Sequence, residues 1–103
     1  MKEIVEHYGV SNQQRKFAEE NLELQEAIID YQYACRRMDG MPASYAEQYL
    51  KGYKYHLMEE LADNLLLIGE FVDYFDIDTD ELEDMTNYKY KRTKRRMKDD
   101  KSR

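Results

Sequence analysis

The chain has one cysteine, one proline, four glycines and no tryptophan among its 103 residues. The lone Cys35 excludes an internal disulfide and fits a reducing compartment. So little glycine and proline argues against a β-sandwich, a collagen-like chain or a flexible linker protein. No stretch alternates polar and apolar residues with period two, so strands are not expected. The longest nearly uncharged apolar run, residues 65–69, falls far short of the ~20 residues that cross a bilayer. No basic segment followed by an apolar stretch opens the sequence, so neither a secretory signal nor a membrane partner is expected, and the location is read as cytoplasmic.

Charge is abundant, and it is unevenly placed. Residues 1–86 carry 7 basic and 20 acidic side chains, a balance of −13, whereas residues 87–103 carry 9 basic and 2 acidic, a balance of +7. The formal net charge of −6 hides that split. The length suits one domain, assigned to residues 1–98, with 99–103 expected to form a disordered tail.

Helix punctuation divides the domain. Ser11 with Gln14, Ser44 with Glu47, and Asp78 with Glu81 each match the capping-box spacing, in which a short oxygen side chain satisfies an open amide. These boxes predict long helices over 12–38 and 45–75 and a third running from Thr79 into the basic end. Gly40 serves as a stop, Gly52 is a candidate bend, and a short helix over 2–8 ends at Gly9. Helical periodicity gives the first long helix a seam of Phe17, Leu24, Ile28, Tyr31, Cys35 and Met38. The second receives a stripe of Leu57, Leu61, Leu65, Ile68, Phe71, Val72 and Phe75. The fold class is therefore all-α: an antiparallel helical hairpin core with a short N-terminal and a C-terminal helix, assembled as an oligomeric bundle. Leu22, Ile29, Leu66 and Leu67 lie off the main seam and are expected to meet a second copy.

A carboxylate pattern occurs twice in these helices. Residues 19–23 read Glu-Glu-Asn-Leu-Glu and residues 59–63 read Glu-Glu-Leu-Ala-Asp. Glu20 with Glu23, and Glu60 with Asp63, have the i, i+3 spacing that brings side chains together, and both pairs flank their helix's apolar seam. Glu20 and Asp63 are equidistant from the Met41–Pro42 link, as are Glu23 and Glu60. A hairpin turning at that link therefore brings four carboxylates to one level. At 5 Å and an effective dielectric of 20, each like-charged pair costs about 3 kcal/mol, so the cluster needs shared protons, an intervening Lys such as Lys16 or Lys54, or a hard cation. Magnesium, with manganese as a substitute, is the natural occupant of an all-oxygen set. No Glu-x-x-His pair is present, which argues against a ferritin-like di-iron bundle. The competing reading is a charged hairpin whose acidic side chains merely solvate it.

With these residues in place, the sequence resembles the MazG-like all-α nucleoside triphosphate pyrophosphohydrolases. "QQRKFAEENLELQEAI" resembles the family's first motif helix and "HLMEELADNLLLI" the second. "KYKRTKRR", after the acidic helix start "DIDTDELEDM", resembles the closing Lys-x3-Asn-x2-Arg element. The resemblance implies magnesium-dependent hydrolysis of a nucleoside triphosphate to the monophosphate and pyrophosphate. It makes Glu20, Glu23, Glu60 and Asp63 the metal ligands and catalytic carboxylates, and Gln13, Lys16, Asn64, Lys89 and Arg96 the substrate-binding residues, with Gln13 and Lys16 just before the first motif and Lys89 and Arg96 at phosphates. Thr93 stands where the family often has Asn, and Asn64 stands where an apolar residue is usual, which alters the base or sugar environment. The family's members work as dimers or tetramers, so a homodimer or homotetramer is expected. The alternative is a non-catalytic helical oligomer or regulator that binds nucleic acid through its basic end. Nucleic acid is the less favoured partner, because a body of −13 leaves the tail alone to supply the affinity.

Overall fold

The computed structural model describes residues 1–102, and they form four helices and no strand: α1 (Lys2–Tyr8), α2 (Val10–Arg37), α3 (Ala43–Tyr74) and α4 (Thr79–Ser102). Gly9 separates α1 from α2 with a left-handed φ of 92°, which glycine adopts without a Cβ clash. Its amide closes α1 on the Val5 carbonyl, while its own carbonyl accepts from the Gln13 amide. The expected box at Ser11 is therefore not used. Gly9 is the N-cap, and Ser11 lies inside the first turn of α2. Likewise Pro42, not Ser44, precedes α3: its φ of −55° suits a helix entry and its carbonyl accepts from the Ala46 amide. The box at Asp78 does form, with Asp78 Oδ1 accepting from the Glu81 amide at 3.0 Å. Gly52 lies within an uninterrupted α3. The segment 99–103, expected to be a disordered tail, is helical through Ser102, and Arg103 lies outside the described residues.

α2 and α3 pack along their length. Gln13 of α2 bonds Glu70 of α3, the Phe17 and Phe71 rings lie 5.8 Å apart, and Tyr31 shares a groove with Glu47, Leu50 and Lys54. The start of α2 thus lies against the end of α3, and the end of α2 against its start. The buried and half-buried positions include 13, 17, 20, 24, 27, 31 and 34 on α2 with its C-cap at 38, and 46, 50, 53, 57, 60, 64, 67 and 71 on α3. Both series alternate steps of four and three, the spacing of a coiled-coil seam.

That seam corrects the expected stripe of α3. Glu60, Asn64 and Leu67 face α2, while Leu61, Leu65 and Ile68 are exposed, Leu65 at 66%. α3 has a broad apolar arc, and α2 occupies only one edge of it. Of the residues expected to meet a second copy, Leu22, Ile29 and Leu66 are exposed, but Leu67 is buried in the seam at 2% exposure.

α1 lies against both α2 and α3, with Val5 buried and the Lys2 amide donating to Asp73 Oδ2 at 2.7 Å. Met1 Sδ sits 2.6 Å from where a Cβ would stand on Gly69, so that glycine makes the close approach possible. α3 ends with Asp76 at a left-handed φ of 57°, the Ile77 amide bonding the Val72 carbonyl and the Asp76 amide bonding that of Asp73. This is the Schellman arrangement, with Asp in the place glycine usually takes. α4 then leaves the other helices. Its described side chains are exposed except for the half-buried Arg92. The radius of gyration is 18.3 Å, against about 13 Å for a compact chain of this size.

Candidate metal centre

The α2–α3 seam positions the carboxylates. Glu20 occupies a seam position of α2 and is half-buried, whereas Glu23, one turn on, is exposed. Glu60 occupies the facing seam of α3 at 8% exposure, and Asp63 is exposed beside it. One oxygen from each of Glu20, Glu23 and Glu60 lies within 4.8 Å of the other two. Asp63 stands outside that close triad but near enough for its charge to act on Glu20.

The electrostatics are those of an under-neutralised site. The Glu20 carboxyl is pushed above its ordinary value of 4.5, first by burial, then by the charges of Glu23, Asp63 and Glu60 and a hydrogen bond with Glu23. Glu20 Oε2 and Glu60 Oε2 are both shielded from solvent without a hydrogen-bond partner. No Lys or Arg among the described residues forms an ion pair with the cluster, and Lys16 is exposed. Buried carboxylate oxygens normally have donors, so two residues with an orphaned oxygen beside a third carboxylate could take a hard divalent cation. The donor set, all oxygen and no imidazole, suits magnesium or manganese.

Asn64 supports this geometry. Its Nδ2 donates to the Glu20 carbonyl at 3.0 Å and to the Glu60 carbonyl at 2.7 Å, tying the two helices together at the level of the cluster. Asn64, expected to bind substrate, is buried here, with its Nδ2 engaged by backbone and its Oδ1 without a partner. Gln13, also expected to bind substrate, lies at the far end of the same seam. It is buried, and its Nε2 donates to Glu70 Oε1 at 2.6 Å.

Glu70, at 2% exposure, escaped the sequence reading, which followed only the repeated motif. The signal was present, since Gln13 and Glu70 are also equidistant from the Met41–Pro42 link. Lys89 and Arg96 lie on α4 and are not brought against the carboxylates of their own chain.

No family model matches the chain, and neither the curated proteins nor the solved structures include a significant match.

Proposed function

We propose that the chain is a magnesium-dependent nucleoside triphosphate pyrophosphohydrolase, built as an oligomeric bundle around an antiparallel α2–α3 hairpin. The observation that carries this reading is the triad of Glu20, Glu23 and Glu60 oxygens within 4.8 Å, two of its residues having a shielded oxygen without a partner. Glu20, Glu23 and Glu60 would hold the cation, with Asp63 at the rim. A divalent cation in such a site supplies Lewis acidity toward phosphate oxygens and toward water. Glu20, whose carboxyl is raised by burial and by the charges of Glu23, Asp63 and Glu60, would be the member of the triad that accepts a proton as charge rearranges. Asn64 keeps the two carboxylate-bearing backbones in register, and preorganisation of that kind is what phosphoryl chemistry asks of a protein.

The test is incubation with nucleoside triphosphates and magnesium, followed by product analysis. Monophosphate and pyrophosphate, lost in a folded Glu60→Gln variant, support the proposal. No turnover of any ribo- or deoxyribonucleoside triphosphate overturns it. A second reading, a regulator that binds nucleic acid through α4, draws on the exposure of that helix and on Arg92 and Lys94 lying over the Tyr88 and Tyr90 rings.

A further inference from the structure

Three of the four glycines have a structural reason to be glycine. Gly9 and Gly40 take φ of 92° and 86°, and Gly69 admits Met1. Gly52 has no such reason. Its φ is not left-handed, α3 runs through it uninterrupted, and a Cβ built on it would meet nothing within 4 Å. An exposed glycine inside a helix is destabilising relative to almost any other residue. Bare backbone of this kind suits a ligand that lies close against the helix.

The residues around Gly52 say what kind of ligand. Tyr45, Tyr49, Gly52, His56, Glu60 and Asp63 follow steps of three and four, so they form one strip down α3 with the carboxylates at its end. Gly52 precedes Glu60 by eight residues, about 12 Å along the helix axis. That separation is comparable with the reach of a nucleotide from its phosphates to its ring. Tyr49 is half-buried and its ring centroid lies 5.5 Å from that of Tyr53, which holds it in place. Tyr45 is exposed at 58%, and His56 is exposed with a ring able to donate and to accept. On the facing helix, Ala27 and Ala34 stand at the levels of His56 and Tyr49 and each adds only a buried methyl group to the seam.

We infer that the strip of Tyr45, Tyr49, Gly52 and His56 is the seat of the substrate's nucleobase. The base lies on the bare backbone at Gly52 against the Tyr49 ring, Tyr45 borders it further along, and His56 meets its polar edge, while the phosphates reach toward Glu60. This deepens the hydrolase proposal and rests on it for the placement of the phosphates. The seat itself is a separate claim about binding. Stacking on an aromatic ring is open to every base, so the seat separates nucleotides from base-free polyphosphates more than one base from another.

The test compares the full-length wild type with Gly52→Leu and His56→Ala. Equilibrium dialysis with magnesium measures binding of an α,β-methylene nucleoside triphosphate, which resists cleavage, and of inorganic tripolyphosphate, which has no base. Leucine at 52 should act in two opposite directions. It is the better helix former and has room, so the melting temperature should rise by about 4 °C. It also fills the seat, so nucleotide affinity should fall about tenfold or more while tripolyphosphate affinity is unchanged. His56→Ala should weaken nucleotide binding about fivefold and leave the melting temperature and tripolyphosphate binding where they are. Unchanged nucleotide affinity in Gly52→Leu, or equal losses for the two probes, would overturn the seat and leave hydrolysis standing. So would a lowered melting temperature with altered sedimentation, which assigns Gly52 to a helix contact instead. The expected binding pattern without turnover of cleavable triphosphates sinks the hydrolase and leaves the seat intact, and a wild type that binds neither probe overturns both.

Discussion

Gln13 Nε2 donates to Glu70 Oε1 at 2.6 Å, joining the first turn of α2 to the last turns of α3 within a buried contact. The two residues are equidistant from the Met41–Pro42 link, as are Glu20 with Asp63 and Glu23 with Glu60. One hydrogen bond far from the carboxylates thus shares their register, and shifting it would shift them.

Removing the donor should be costly. Gln13→Ala leaves the Glu70 carboxyl buried without its partner and should destabilise the chain by about 1.5–3 kcal/mol, the range for hydrogen bonds to charged groups. Replacing both residues by leucine should recover most of that loss, since neither polar group is then left behind. Urea unfolding of the three variants reads the difference. A single variant as stable as wild type would contradict the buried pair.

Asn64 makes a different prediction. Asn64→Leu removes the bond to the Glu20 carbonyl but also removes Oδ1, which is shielded and unpartnered. Stability should change by about 1 kcal/mol or less, because the two effects oppose. The half-saturating manganese concentration should rise, since the strut between the helices is gone. Unchanged metal affinity would remove Asn64 from the site.

The raised Glu20 carboxyl gives a signed pH dependence. Its folded value lies above its ordinary 4.5, so the folded chain binds the proton more tightly than the unfolded one. Above the raised value the group therefore subtracts stability, and the penalty is relieved as pH falls through that value toward 4.5. Metal-free protein should gain thermal stability between neutral and mildly acidic pH, with the gain absent in Glu20→Gln. Magnesium at pH 7 should stabilise wild type and leave Glu20→Gln nearly unmoved.

The open apolar arc of α3 predicts the assembly. Leu65, exposed at 66%, should tolerate Leu65→Asp without loss of helix content by circular dichroism. The same change should dissociate the oligomer in sedimentation, because a charge placed at a desolvated interface has no partner. An unchanged oligomer would place the interface elsewhere.

Much of this was legible in the sequence, for reasons tied to particular residues. α1 ends at Gly9, the turn falls at Gly40 to Pro42, and Asp78 caps α4, because backbone punctuation acts locally. The convergence of Glu20, Glu23 and Glu60 followed from helix rise, which is uniform along uninterrupted helices such as α2 and α3, whereas Asp63, expected at the same level, stands outside the close triad. The boxes at Ser11 and Ser44 failed because Gly9 and Pro42, each just upstream, already satisfied the helix entry. Which edge of the apolar arc of α3 faces α2 was not legible, since Leu61, Leu65 and Ile68 fit a buried stripe as well as Asn64 and Leu67 do. Nor could spacing within α4 say where the helix points: that direction is set by the turn at Asp76 and Ile77.

The central claim is that the carboxylates of α2 and α3 hold a divalent cation, and manganese paramagnetic resonance tests it most directly. Adding the chain to free manganese at neutral pH should quench the six-line signal in proportion to protein. Glu20→Gln and Glu60→Gln variants, folded by circular dichroism, should leave most of it. A wild-type chain that leaves the signal intact, or variants that quench it as fully as wild type, would contradict the account.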